Sequence, residues 1–478
     1  MLLAIITSMI AIIYTFFGTM AKDSPHQTHY TRQIQYLLAT VYGKSVAKDS
    51  FLDRAIRYFK HEESRPSDEK KPTDESPLDK MQRIERHSHL LSVSLTILEL
   101  AEGENYAESN RKSAQFLGTI QLMSPTEGKR IARSNEQNKP IYKAVLCLRL
   151  LDRLIIDGQV VEPYINKFLT DVTPEQYLDF AHHNSDGYQR FVEQVKVPLI
   201  MAALVQDVGN YHPKAQAVLY GGDSQLDPFR TLTVEERKEL LQINYRETLK
   251  YLIEGIGVPA FVGNTKNQRN KFLKDEQAKL FFIKQLLKTS INPKNSIGNV
   301  LKVPQIYTSI ILSTKVSYNY KLLPQVFQVL NKNAELGACA QSVVDALYTI
   351  TGMFPQGFGI VYMPSGEIGE QGDLYEYAIV NSLYPEKADQ PICRVTTRQL
   401  IFISYGQNLI IQNNSNLYFT QTAKKLATLT KERLNEILEL LSSNFHERKK
   451  LDLLPRCWYA NEFFSIKINQ NLWNKVDS

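Results

Sequence analysis

No two cysteines stand close enough in this chain to form a metal clip. Cys147, Cys339, Cys393 and Cys457 are far apart and make no C-x-x-C pair. That excludes a zinc ribbon or a thioredoxin-like centre, and such sparse thiols fit a reducing compartment. Histidine is also scarce: nine in 478 residues, with none from Pro213 to Phe445. No strong charge of one sign builds up, since 56 basic residues face 50 acidic ones for a net +6. This is not the clustered basic footprint of a dedicated nucleic-acid binder, so no nucleic acid duplex is expected as a partner. The chain has no G-x-S-x-G elbow, no G-x-x-x-x-G-K-[ST] loop and no G-x-G-x-x-G after a strand. The corresponding hydrolase, P-loop and dinucleotide-binding classes are therefore excluded. Gly357-Phe358-Gly359 is too short for a nucleotide fingerprint, and no internal repeat is present.

The first 21 residues, MLLAIITSMIAIIYTFFGTMA, lack any charged side chain. Roughly 20 apolar residues suffice to span a bilayer as a helix. A cleaved signal peptide is the rival reading, but the run is long and has no basic n-region. Residues 1–21 are therefore expected to be a transmembrane anchor. Lys22, Arg32, Lys44 and Lys48 follow it, and no Lys or Arg precedes it. The positive-inside rule then puts the bulk of the chain on the cytoplasmic side of an inner membrane.

Beyond the anchor, residues 22–80 read as a helical segment followed by a flexible charged linker. Ile34, Leu37, Leu38 and Val41 form a helical stripe, whereas EESRPSDEKKPTDESPLDK (62–80) has three prolines and a single apolar residue, Leu78. Residues 81–355 are mostly apolar segments with helical spacing, broken at Pro and Gly clusters. Near Phe354 the period changes, and a small antiparallel β unit is expected over 356–420. Residues 421–478 read as an amphipathic helix at about 430–446, with Leu434, Ile437, Leu438 and Leu441 on one face, and an aromatic tail, CWYANEFFSIKINQNLW, that docks on something. ERKK (447–450) is a solvated charge run. The expected fold is mainly α: a helical bundle, then the small β unit and a C-terminal helix, with the membrane helix in front.

One stretch looks like chemistry. VPLIMAALVQDVGN ends a buried apolar helix on Gln206 and Asp207, with Gly209 and Asn210 following. A carboxylate at a helix C-terminus opposes the helix dipole. A metal, an arginine or several N–H groups should compensate it. The stretch resembles the HD superfamily of metal-dependent phosphohydrolases, whose corresponding segment ends in His-Asp, an aliphatic residue and Gly. Three later stretches are similar to the HD-GYP branch in the same order. LTVEERKELLQINYRETLKYL (232–252) looks like the helix after the His-Asp motif, with Asn244-Tyr245 where that family has His-Pro. LLPQVFQVL (322–330) looks like its late helix, and MFPQGFGIVYMPSGEIGE (353–370) like its C-terminal hairpin segment. The resemblance covers about 195–370.

It implies an HD-like bundle, one to three divalent metals on His and Asp/Glu ligands, and cyclic di-GMP signalling in a bacterial cell. Most of those ligands are missing here. Gln206 and Asn244 stand where histidines are expected, and no Asp or Glu occurs between Ala278 and Ala334. An amide oxygen replaces imidazole poorly on a transition metal, and Asp207 alone does not hold a binuclear centre. Gln206, Asp207, Gly209, Asn210 and Asn244 thus read as a vestigial site, with no metal or other cofactor expected. The leading reading is a non-catalytic HD-GYP-like module for signalling, sensing or interaction, bound to a protein partner or a cyclic dinucleotide. A divergent metal-dependent phosphohydrolase is the alternative. It would gather Asp207 with His87, His182, His183 or His212. Their plainer readings are an exposed residue near a helix start (His87), a loop between helices (His182, His183) and a loop (His212). A third reading is a structural or assembly protein of the cell envelope that binds through its aromatic tail.

Overall fold

The computed structural model of the chain describes residues 26–42, 49–64, 76–364, 374–441 and 453–474. Helices α1 (His29–Tyr42), α2 (Phe51–Ser64), α3 (Pro77–Ala101), α4 (Tyr106–Met123) and α5 (Ile131–Ile156) come first. Short helical turns lead to α6 (Val197–Val205), α7 (Pro213–Tyr220), α8 (Val234–Lys250), α9 (Lys266–Thr289), α10 (Asn299–Ile311), α11 (Val326–Glu335) and α12 (Gln341–Thr351). Strands β1 (Gly359–Tyr362), β2 (Glu376–Val380), β3 (Ile392–Val395), β4 (Thr397–Arg398), β5 (Ile401–Phe402) and β6 (Asn408–Ile410) follow. The chain closes with α13 (Lys431–Leu441), β7 (Cys457–Trp458) and α14 (Asn461–Ser465). The protein is mainly helical with a small antiparallel sheet, as its hydrophobic periodicity predicts.

A helix with no polar stripe must be enclosed on all sides. Two helices meet that condition and form the centre. In α5 every residue from Pro140 to Asp152 is buried, and in α6 all of Val197–Val205 are. These two pack on each other and are surrounded by α3, α4, α9, α10 and α12. Local signals set several helix starts. Ser76 caps α3 by accepting from the Asp79 N–H at 3.1 Å, with Pro77 in the first turn. Thr233 and Glu236 form a capping box at the start of α8. One π-helical turn, Val192–Lys196, runs directly into α6, and another, Tyr251–Ile256, runs directly out of α8. Such turns are rare and are frequent at functional sites.

The sheet is antiparallel throughout, in the order β6-β3-β2-β1-β7, with β4 and β5 as a separate pair. Strands β1 and β2 form the expected hairpin, Gly359 facing Ile379 and Tyr362 facing Glu376. The turn joining them lies outside the described residues.

Three expectations are corrected. The charged linker is narrower than 62–80, because Glu62–Ser64 belong to α2 and Pro77–Lys80 to α3, with Glu62 paired to Lys250 at 3.0 Å. Residues 22–80 are not a separate segment either, since α1 and α2 bury Ile34, Leu37, Val41, Phe51 and Phe59 in the main core. The tail's tryptophans, with Phe463 and Phe464, pack inward instead of forming an outward surface. Trp458, Phe463, Phe464 and Trp473 are buried, and β7 is a strand of the sheet. No helix among the described residues is long and apolar enough to cross a membrane. Residues 1–21 and the ERKK run lie outside the described residues, as do positions 442–446 of the last predicted helix. Leu434, Ile437, Leu438 and Leu441 of α13 are buried together as its periodicity predicts.

Candidate functional site

Asp207 follows α6 by two residues, and a short 3-10 turn, Val208–Tyr211, carries the chain on towards α7. Its side chain retains 36% exposure. Both oxygens are engaged. The Lys143 ammonium of α5, only 3% exposed, lies 2.6 Å from Oδ2, and the Gln305 amide of α10 donates to Oδ1 at 2.8 Å. Burial would raise the Asp207 pKa, but Lys143 outweighs it, with help from Lys139 and Gln305, and holds the carboxyl below its ordinary range. Lys302 on α10 stands close enough to feel the same carboxylate, and burial lowers its own pKa. Arg237 acts on Lys302 in turn. One carboxylate thus sits among several cations.

The other residues of the vestigial site do come together, but as a packing joint. Asn244 of α8 donates through Nδ2 to the Gln206 carbonyl at 3.3 Å and accepts from Thr248 Oγ1 at 3.3 Å. The Thr248 hydroxyl accepts the Gly209 N–H at 3.0 Å. Gln206 points its Nε2 to Ser290 Oγ at 3.4 Å, while its buried Oε1 has no hydrogen-bond partner among the described residues. The Asn210 carbonyl accepts from Gln216 Nε2 at 2.7 Å. Gly209 is needed for close approach, because a Cβ there would lie 2.2 Å from the Asn244 carbonyl oxygen. Gly209→Ala is therefore expected to push α8 away and destabilise the fold by about 1–3 kcal/mol. Urea unfolding checks this, and an unchanged midpoint would refute the tight joint.

The histidines are not gathered. His87 is not an exposed residue near a helix start but is 7% exposed, well inside α3, and lines an apolar cavity that contains neither Gln206 nor Asp207. Burial, then Lys279 and Arg83, push its pKa down to about 4. His182 and His183 are exposed on a short helix, not a loop, and both turn Nδ1 to Asp179, at 2.6 Å and 2.9 Å. His212 caps α7, accepting the Lys214 N–H at 3.2 Å, while its Nε2 faces Glu247 at 3.7 Å and its ring packs on Phe59. Among the described residues, no group of three or more His, Cys, Asp or Glu could hold a metal ion. The donors at Asp207 do not fit a divalent metal, since a fixed ammonium already neutralises the carboxylate.

Sequence reasoning missed Lys143 and Gln305. Lys143 had a signal: it is the one charge in the run from Ile141 to Leu148. It also missed a second charged cluster. Arg149 and Lys196 meet Glu102 and Asp152, all at most 10% exposed. Arg149 pairs with Glu102 and, at 2.9 Å, with Asp152, and Lys196 reaches the same two carboxylates at 3.0 and 3.2 Å. Tyr177 donates to Asp152 at 2.6 Å. Compared with known proteins, the chain matches no family model, no curated protein and no solved structure.

Proposed function

We propose that this protein is a membrane-anchored, catalytically inactive HD-GYP-like module that works by binding, in signalling, sensing or interaction. Residues 1–21 tether it to the inner membrane, and the bulk of the chain faces the cytoplasm. The observation that carries the reading is the Lys143–Asp207–Gln305 arrangement. A divalent metal would activate a water and neutralise phosphoryl charge. A lysine ammonium of the same chain can hold the carboxylate in place but cannot activate water in that way. Gln206 and Asn244 are near the volume of histidine and keep a hydrogen-bonded joint between α6 and α8 without offering imidazole. The cations near Asp207, Lys143, Lys139 and Lys302, suit an anionic ligand. The resemblance to HD-GYP proteins makes a cyclic dinucleotide the small ligand to test, beside a protein partner.

The test is elemental analysis of the full-length chain purified without chelator, next to Asp207→Ala, together with a cyclic di-GMP hydrolysis assay. The expected result is no stoichiometric iron, manganese or other divalent metal in either protein, and no hydrolysis. A full equivalent of metal that disappears in Asp207→Ala would overturn the reading in favour of a divergent phosphohydrolase.

A further inference from the structure

A second feature lies away from Asp207. A cavity of about 410 Å³ lies between α3, the start of α6, α9 and the loop 257–265. That volume falls within the range of small-molecule sites, about 300–1,000 Å³. Its wall is hydrocarbon for the most part, including Leu91, Leu95, Met201, Leu252 and Ile283. Both π-helical turns contribute to it, through Glu193 from the first and Leu252 and Ile256 from the second. A π turn inserts a residue and re-aims the side chains around it, at a cost that a plain helix avoids, and such turns are frequent at functional sites. The rim carries Phe261, whose ring is tilted 50° to that of Phe272 with centroids 5.5 Å apart, and the exposed Val262.

The polar groups in the wall are few; Ser88 and Gln268 are exposed to solvent, and Glu193, Glu276 and Lys279 have partners. Glu276 pairs with Lys279, and Glu193 accepts from Gln189 Nε2 at 2.8 Å. His87 is the exception. It is 93% buried by its 7% exposure, lines the cavity, and makes no hydrogen bond or ion pair with any described residue. Its ring nitrogens are not among the wholly enclosed side-chain atoms without a partner, so they are open to bond whatever fills the cavity. A neutral imidazole offers one N–H donor and one bare nitrogen acceptor, which match a hydroxyl, a ketone or an amide. A charged head would enter an apolar space in which the lining cation, Lys279, is already neutralised.

We propose that this cavity binds a small, largely hydrocarbon molecule bearing one uncharged hydrogen-bonding group, which is held by His87. The proposal is independent of the reading of the Asp207 site, with which the cavity shares no residue. The test is photolabelling of the full-length chain with a diazirine analogue of decanol, followed by peptide mapping. Labelling is expected on the segments 87–95 and 261–283, competed by decanol more strongly than by decanoate or decylammonium. Met201→Trp, which fills the space, should abolish that labelling with circular dichroism unchanged; Leu95→Phe serves as a smaller filling variant if the first fails to fold. His87→Phe should weaken competition by decanol about five-fold, the worth of one hydrogen bond. Labelling scattered over the surface, or unaffected in a folded filling variant, would overturn the site. Stronger competition by either charged compound would overturn the uncharged assignment, and unaltered competition in His87→Phe would remove the histidine from it.

Discussion

Arg149→Met is expected to destabilise the protein by about 3–5 kcal/mol, the loss seen when one partner of a buried ion cluster is removed. Arg149 is wholly buried in the central helix α5. Its guanidinium and the Lys196 ammonium balance Glu102 and Asp152, so deleting it leaves two carboxylates to share one cation. The cluster is also a joint: Glu102 follows α3, Arg149 and Asp152 lie on α5, and Lys196 belongs to the first π turn. Beside it, Tyr106 donates to Tyr384 at 2.7 Å and ties α4 to the β region. Urea unfolding of the variant measures the loss. The double variant Glu102→Met/Arg149→Met removes one charge of each sign and should be less destabilised than Arg149→Met alone. If the two changes instead add, the cluster is not energetically coupled.

The same cluster sets an acid limit. Burial would raise the Glu102 pKa, but Arg149 and then Lys196 outweigh it and hold the carboxyl at about 2, against an ordinary 4.5. A carboxyl depressed in the folded state contributes stability that is fully present above the unfolded value. That stability is lost as pH falls from 4.5 towards 2. The acid limb of unfolding in Arg149→Met should therefore be shallower over that window than in the wild type.

These charges explain what the sequence could and could not disclose. Periodicity is a property of one segment, so the helices from α3 to α12 and the change to strands after Phe354 were legible. So was the buried face of α13. Partners are a property of two segments. Asp207 announced itself as a carboxylate in need of compensation, yet Lys143 lies 64 positions away and Gln305 lies 98 away. Nothing in the local pattern around Gln305 marks it. Asp152 and Arg153 are adjacent charges in an otherwise apolar run, which local pattern does not tell apart. In the fold Asp152 is buried with Arg149 and Lys196, while Arg153 stays partly exposed and bonds Asp157 at 2.8 Å. The aromatic tail was legible as something that docks, but not as a strand, because β7 is two residues long and exists only through its pairing with β1.

That pairing makes Trp458→Ala the second large effect. The chain has two tryptophans, Trp458 and Trp473, both in the tail and both buried. Trp458 stacks on Tyr377 with centroids 4.6 Å apart and donates its indole N–H to the Ala378 carbonyl at 2.9 Å. It also lies over Gly359, where a Cβ would fall 2.2 Å from the Trp458 carbonyl oxygen, so β1 was left bare to admit it. Removing the ring vacates that space and leaves the Ala378 carbonyl without the indole donor, and a buried Trp→Ala change costs about 3–5 kcal/mol. The loss should spread beyond the sheet. Gln470, further along the tail, accepts from the Thr28 N–H at 2.8 Å and from the Thr31 hydroxyl at 3.0 Å, while Arg394 of β3 donates to the Leu472 and Asn474 carbonyls. The tail thus fastens α1 to the sheet. Trp458→Ala is expected to increase amide exchange in both β1 and α1, whereas exchange confined to β1 would show that α1 is held by the helical core alone.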